Sequence, residues 1–187
     1  MSTLHTSIKE LFSSKEPKVF SDFQSDLDTA KYEDLDYYYN LFIEEKNIAE
    51  YELNEGIHIF NEFELDTDIS TVLKKVSKDF YIFHKTSFGT KILFFEKTIL
   101  KEKAKCEYHF LYNKLFYVSF NFHLIKNSSR TEFTQKLIFA NTKSKISKTD
   151  IIFKDPSNNL MIVKDSLVLN VSFINKKFVV NSIKSAI

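Results

Sequence analysis

Leu-Phe-Tyr-Val-Ser-Phe-Asn-Phe-His-Leu, residues 115–124, is the stretch of this sequence that decides the fold. Every second side chain from Phe116 to Leu124 is apolar, whereas the intervening positions mix apolar and polar residues. Such alternation is typical of a β-strand, because successive side chains point to opposite faces of a sheet. The stretch therefore predicts a strand with one face in a hydrophobic core.

Further strands are predicted on both sides of this one, where short alternating segments are separated by polar turns. We predict them at residues 80–86, 90–96, 98–103, 105–112, 149–154, 160–164, 166–174 and 177–184. Turns are indicated at Gly89, at Asn113-Lys114 and at residues 155–158. Because parallel strands need long crossovers, these short connections favour antiparallel pairing.

Helices are predicted ahead of the strands and between the two runs of strands. A Ser followed three residues later by Glu is a capping-box pattern, and it begins helices near Ser7 and Ser129. Apolar residues at helical spacing predict two more helices, over about 17–30 and 33–50. The acidic N-terminal third is therefore predicted to be largely helical.

A strand followed by a helix is predicted where the acidic third ends. Apolar and polar residues alternate over 57–65, which favours a strand with one buried face. Thr67 has the chemistry of an N-cap. The helix that follows it is expected to bury Ile69, Val72, Leu73 and Val76.

Together these patterns predict an α+β fold, in which N-terminal helices are followed by two helix-plus-antiparallel-meander units. We expect a curved, mainly antiparallel sheet system of eight to ten strands. The expected organisation is one domain over 1–187, with an acidic helical part at 1–55 and a strand-rich part at 56–187. The strand-rich part contains two candidate sub-units, 56–125 and 129–187.

A short pattern occurs in both candidate sub-units. Asn-Lys-x-Phe-x-Val is found at 113–118 and again at 175–180, at the last predicted hairpin of each run of strands. Six positions are too few to establish a duplication, and the same offset does not align the two predicted helices.

Composition restricts the class of protein and its compartment. A chain of 187 residues with 43% hydrophobic residues can bury a core without disulfides, and no apolar run approaches the ~20 residues that span a bilayer. The N-terminal residues lack the continuous apolar stretch of a secretory signal, and Cys106 is the only cysteine. We therefore expect a soluble protein of the reducing cytosol.

Common catalytic motifs are not found in the sequence. Its only glycines, Gly56 and Gly89, cannot form a P-loop, a dinucleotide fingerprint or a nucleophile elbow. Cys106 lies on the same predicted strand face as Tyr108 and Phe110, and a cysteine in such a position is usually an unreactive packing residue. We predict no catalytic residue and no cofactor.

Metal binding is also disfavoured by spacing. The five histidines lack zinc-type spacing, and His109 and His123 fall about five residues apart along the predicted hairpin. They are predicted to be ordinary sheet residues. A calcium loop that started at Asp66 would need Gly at 71 and Glu at 77, where Thr71 and Ser77 stand. We predict no metal site.

Charge is distributed very unevenly along the chain. The first 66 residues carry 16 Asp and Glu against 5 Lys, whereas the remaining 121 carry 21 Lys and Arg against 9 acids. Part of the negative charge is expected to neutralise a lysine-bearing sheet, and the rest to face water and attract basic partners. The residues predicted to bind such a partner are Asp22, Asp26, Asp28, Glu33, Asp34, Asp36, Glu44 and Glu45.

The leading functional hypothesis is a non-enzymatic cytosolic protein that binds a basic protein partner, with an immunity or inhibitor protein that neutralises a toxin as one form. A first alternative is a ligand-binding or enzymatic cone with an aromatic pocket, lined by residues such as Tyr108, Phe110, Tyr117 and Phe120. A second is nucleic-acid binding through the lysine-rich sheet, which the scarcity of arginine disfavours. Its lysines are Lys74, Lys75, Lys78, Lys97, Lys101, Lys103, Lys105, Lys143, Lys145 and Lys148.

Overall fold

The described part of the chain is a mixed α+β fold. A computed structural model describes residues 29–34, 36–38, 40, 48–60, 62–76, 81–87, 89–123, 125, 127–146 and 150–178. The helices are α1 (Ile69–Lys75) and α2 (Asn127–Thr142), and a 3-10 turn spans Ala30–Glu33. The strands are β1 (Ala49–Glu52), β2 (Tyr81–Lys85), β3 (Lys91–Ile99), β4 (Glu102–Leu111), β5 (Lys114–Phe122), β6 (Ile151–Lys154), β7 (Asn159–Asp165) and β8 (Leu169–Asn175).

All eight described strands belong to one sheet, in the order β1-β6-β7-β8-β5-β4-β3-β2. Neighbouring strands are antiparallel except for β1 and β6, which are parallel. The predicted α+β class and mainly antiparallel sheet are confirmed. The N-terminal helices, the grouping into two helix-plus-meander units and the domain division stay predictions.

Two tight turns join the central strands. Leu100 and Lys101 connect β3 to β4, and Tyr112 and Asn113 connect β4 to β5. All four residues have positive φ, at 50°, 77°, 52° and 65° respectively. Two successive positive φ angles give a turn whose twist matches that of the flanking strands. The predicted strand 98–103 is therefore wrong, because it straddles the first of these turns.

Strand β5 buries side chains on both faces of the sheet. Val118, Phe120 and Phe122 lie on the first face, as predicted, in a core that includes apolar residues of both helices. The ring of Phe122 packs edge-to-face on Phe133 of α2, with centroids 5.1 Å apart. Phe116 lies on the second face instead, because the register between β4 and β5 shifts beside it.

The segment before α1 is a loop and not the predicted strand 57–65. Among its described residues, which exclude residue 61, one isolated bridge joins Ile59 to Phe63, and Phe60 has a positive φ of 51°, which turns the chain back. The loop nevertheless packs on the first-face core. Its alternating apolar side chains are buried as predicted: Ile57, Ile59, Phe63 and Leu65.

Helix α1 begins one residue later than the sequence predicts. Asp68 occupies the N-cap position, whereas the hydroxyl of Thr67 donates a hydrogen bond to the carbonyl of Glu64 over 2.6 Å. Ile69 and Val72 are buried as predicted. The predicted helix that begins near Ser129 is present as α2, which starts at Asn127.

Two further predictions are corrected. Residues 49–52 are strand β1 rather than the end of a helix over 33–50, because they pair with β6. Residues 176–178 are helical, and the side chain of Asn175 accepts a hydrogen bond from the Phe178 amide over 2.9 Å. Residues 177 and 178 are therefore not part of the predicted strand 177–184, whose other residues lie outside the described part of the chain. The second Asn-Lys-x-Phe-x-Val pattern thus begins with a capped helical turn and not with a hairpin.

Candidate functional site

A β-bulge gathers aromatic side chains on the second face of the sheet. His109 of β4 pairs with Tyr117 of β5, whereas the next residue of β4, Phe110, pairs with Leu115. Phe116 is the extra residue, and its ring and that of Tyr117 both approach the imidazole of His109, with centroids 6.3 Å and 4.8 Å away. Bulges commonly redirect a side chain in this way.

Residues 30–34 and 36–38, which we call the cover segment, pack on this cluster through two buried tyrosines. The exposed fractions of Tyr32 and Tyr38 are 1% and 2%. The hydroxyl of Tyr32 donates a hydrogen bond of 2.6 Å to Glu107 Oε2, and the hydroxyl of Tyr38 lies 2.8 Å from His109 Nδ1. The cover segment is thus attached to β4 by aromatic packing and by two hydrogen bonds, of which the Tyr38–His109 bond is fully buried.

The protonation states in this cluster follow from burial. Burial lowers the pKa of His109, and this effect outweighs the opposing influence of Glu107, whose Oε2 lies 3.5 Å from Nε2. Burial also raises the pKa of Tyr38, so that its hydroxyl keeps its proton. A neutral His109 with its proton on Nε2, towards Glu107, can accept the Tyr38 hydroxyl at Nδ1.

Stability is expected to decrease as the pH falls below about 6.5, the ordinary pKa of histidine. The unfolded chain protonates His109 near that pH, whereas the folded chain, in which the pKa of His109 is lowered, does so only in more acidic solution. The unfolded state therefore binds more protons in this window, and the stabilisation present above it is lost on acidification.

The matched variant is His109→Gln, which keeps a polar side chain without a titration. Urea unfolding at about pH 7.5 and about pH 5.5 should show a smaller loss of stability in the variant than in the unaltered protein. Glu107 does not interfere: burial raises the pKa of its carboxyl, but the nearby His109 and the hydrogen bond from Tyr32 outweigh burial and keep that pKa below the ordinary value. An identical loss in both proteins would contradict a buried neutral His109.

Three of the predicted partner-binding acids lie on the cover segment, and all three are exposed. The carboxylate of Glu33 accepts a hydrogen bond from the Ser87 amide over 2.8 Å and lies 3.2 Å from His84 Nε2. The hydrogen bond from Ser87 is the main cause that lowers the pKa of Glu33. The side-chain carboxylate of Asp34 accepts a hydrogen bond from the Asp36 amide over 2.8 Å and so caps the helical residues 36–38. The other five, Asp22, Asp26, Asp28, Glu44 and Glu45, lie outside the described residues.

Sequence reasoning missed two acids on the same side of the sheet. Glu50 and Glu52 of β1 are exposed, and Glu50 pairs in register with Ile152, which belongs to the second-face core. The Nζ of Lys154 lies 3.7 Å from Glu50 and 3.5 Å from Glu52. The alternation of glutamate with Tyr51 was a strand signal, but four residues were too few to outweigh the predicted helix.

The predicted pocket residues do not converge on one space. Tyr108, Phe110 and Phe120 are buried in the first-face core, whereas Tyr117 is buried in the second. Cys106 also lies in the first core, as its strand pattern predicted, and burial raises the pKa of its thiol. These side chains fill the interior on either side of the sheet.

The lysines of the nucleic-acid alternative lie on both faces of the sheet. Lys97 lies on the first face, two residues from Phe95 and from Ile99 of its core, and pairs with Glu62. The backbone carbonyl of Glu62 also accepts a hydrogen bond from Lys75 Nζ over 2.9 Å. Lys103 alternates in β4 with Ala104 of that core and so lies on the second face. Lys78 and Lys148 lie outside the described residues.

Two open grooves flank the first face. The larger, of about 570 Å³, runs between α2 and the β3–β4 turn, and it is lined by Leu100, Glu132, Gln135, Lys136, Phe139, Ala140 and Lys145. The smaller, of about 360 Å³, is lined by His58, Glu62, Phe63, Glu64, Thr67 and Thr71. In the described part of the chain, no group of three His, Cys, Asp or Glu side chains could hold a metal ion.

Comparisons with protein-family models, with curated proteins and with solved structures found no match to this chain. None of the helices among the described residues has both the length and the apolar character required to cross a membrane.

Proposed function

We propose that this protein is a non-enzymatic cytosolic module that binds a basic protein partner through an acidic surface. That surface consists of the exposed acids of the cover segment, the five predicted acids next to it in sequence, and Glu50 and Glu52. The observation that carries the proposal is that Glu33, Asp34 and Asp36 are exposed on a segment whose buried tyrosines hold it against the sheet. A fixed acidic surface can attract basic partners and orient them.

An immunity or inhibitor protein that neutralises a toxin is one concrete form of this function. Such a protein acts by covering a basic site on its target, which requires complementary charge and shape but no chemistry of its own. The filled cores on both sides of the sheet support a role in binding rather than one that needs a deep aromatic pocket.

Removal of the acidic charge is expected to reduce capture of basic proteins by about tenfold. The test variant is Asp36→Asn, Glu44→Gln and Glu45→Gln, which leaves the capping carboxylate of Asp34 in place. The matched control removes equal charge elsewhere, through Glu96→Gln, Glu102→Gln and Glu132→Gln. Proteins captured from a nuclease-treated lysate of the source cells would be quantified by mass spectrometry.

The unaltered protein and the control should capture the same basic proteins, and about 0.5 M salt should release them because it screens surface charge. If the test variant captured as much basic protein as the unaltered protein, the proposal that this acidic surface binds the partner would be contradicted. Retention of nucleic acid from an untreated lysate, with loss of every captured protein after nuclease treatment, would favour the lysine-based alternative instead.

A further inference from the structure

Strand β1 forms an open edge of the sheet. It pairs with β6 on one side, and no other strand in the described part of the chain pairs with its opposite side. Three of its four residues are exposed and Tyr51 is half-buried. At the other edge, by contrast, Glu33 binds His84 of β2 and the following Ser87 amide. β1 therefore offers an exposed edge at which a further strand could add.

The backbone groups of β1 alternate in direction. The amide of Leu53 donates to the carbonyl of Lys154 over 2.8 Å, so Leu53 faces β6. Residues two apart in a strand direct their amides and carbonyls to the same side, which means that Tyr51 also faces β6. Glu50 and Glu52 consequently direct theirs away from β6, towards the open edge.

The charge of this edge selects the kind of strand that can pair with it. Among the described residues, Lys154 is the cation paired with both Glu50 and Glu52, and the exposed Glu55 follows them. A second copy of β1 would place glutamates opposite glutamates, which is unfavourable for cross-strand pairs. Lysine side chains on an incoming strand would instead complement both glutamates.

We propose that β1 is a docking edge at which an extended, lysine-rich segment of the partner protein adds as a further strand of the sheet. This inference rests on the proposed function and specifies its mode of binding. Backbone hydrogen bonds to Glu50 and Glu52 supply the pairing, and the glutamate side chains select a basic strand.

The probe is a fluorescein-labelled peptide of about eight residues with alternating lysine and threonine, a length typical of strands. The comparison peptide has the same side chains and charge but an N-methyl group on every residue, which removes its backbone donors along both edges. Anisotropy titrations with the full chain should show about tenfold weaker binding of the methylated peptide, because those backbone bonds cannot form.

Two variants separate backbone pairing from charge. Glu52→Gln removes only the charge and should weaken binding of the lysine peptide about twofold. Glu52→Pro also removes the outward amide, at an edge position where proline is tolerated, and should weaken binding about tenfold. In NMR exchange experiments, the lysine peptide should slow the exchange of the Glu50 and Glu52 amides and leave that of Tyr51 unchanged.

Docking at the edge is overturned if the lysine peptide does not bind, if both peptides bind equally, or if the two variants weaken binding equally. A dimer of the chain that Glu52→Pro abolishes would also overturn it, by identifying a second copy as the occupant. A different result would contradict the proposed function. In that case the variant at Asp36, Glu44 and Glu45, residues that are not part of β1, would capture basic proteins as well as the unaltered protein does.

Discussion

Replacement of Asp155 by alanine is expected to lower the free energy of unfolding by about 3–5 kcal/mol. The carboxylate is only 3% exposed and lies in the turn between β6 and β7. Its Oδ1 accepts hydrogen bonds from the backbone amides of Ser157 and Asn159, over 2.9 Å and 2.8 Å. Its Oδ2 accepts a hydrogen bond from the backbone amide of Ile57 over 3.1 Å and another from the side-chain amide of Asn159 over 3.0 Å. Alanine would leave these donors without an acceptor and would separate the 57–65 loop from the turn.

Asp155→Asn is the matched control, because it keeps one acceptor oxygen but places an NH₂ group opposite two donors. We expect an intermediate loss of about 2 kcal/mol. Urea unfolding can be followed by circular dichroism, since the chain has no tryptophan. A loss below about 1 kcal/mol for the alanine variant would mean that water replaces the carboxylate at little cost, contrary to its burial.

The strands were the most predictable part of this fold, because alternation over seven to ten residues has a direct structural meaning. Turns were less predictable. Leu100-Lys101 turns with two positive φ angles although neither residue favours them, so the hairpin between β3 and β4 is imposed by pairing of the long strands around it. At 57–65 the sequence predicted the burial correctly but the structure wrongly. Alternate apolar residues are buried there, but they lie in a loop and not in a strand.

The site could be predicted only in part, because its contacts join residues far apart in sequence. Tyr32 meets Glu107 across 75 positions, and Tyr38 meets His109 across 71. Spacing carries no information on such pairs. A local signal did exist, since Glu107 and His109 alternate with the apolar face of β4, but alternation alone cannot distinguish buried polar residues from exposed ones.

The charge asymmetry of the sequence is partly explained by pairing within the fold. Glu62 binds Lys97, and Lys154 lies close to both glutamates of β1. Acids of the N-terminal part thus neutralise lysines of the sheet, as expected for part of the charge. The exposed acids of the cover segment face water, so a partner can reach them without breaking the core.

Replacement of Tyr38 by alanine is expected to lower the free energy of unfolding by about 3–5 kcal/mol, the usual range for a buried aromatic residue. The substitution removes the ring that packs edge-to-face on Phe116 at 5.1 Å, and it leaves His109 Nδ1 without its hydroxyl partner. The loss should be concentrated in the cover segment, because the strands below it keep their own pairing. Hydrogen exchange should show faster exchange over residues 30–38 than over β4 and β5.

Tyr38→Phe distinguishes packing from hydrogen bonding at the same position. It keeps the ring and should lower the free energy of unfolding by only about 1–3 kcal/mol, the cost of an unpaired buried nitrogen. If the acidic surface binds its partner in the arrangement held by Tyr38, the alanine variant should lose capture of basic proteins at a temperature where β4 and β5 remain protected. The phenylalanine variant should retain it. Equal capture by both variants, with the cover segment exchanging freely in the alanine variant, would mean that binding depends on the charge of the segment and not on its shape.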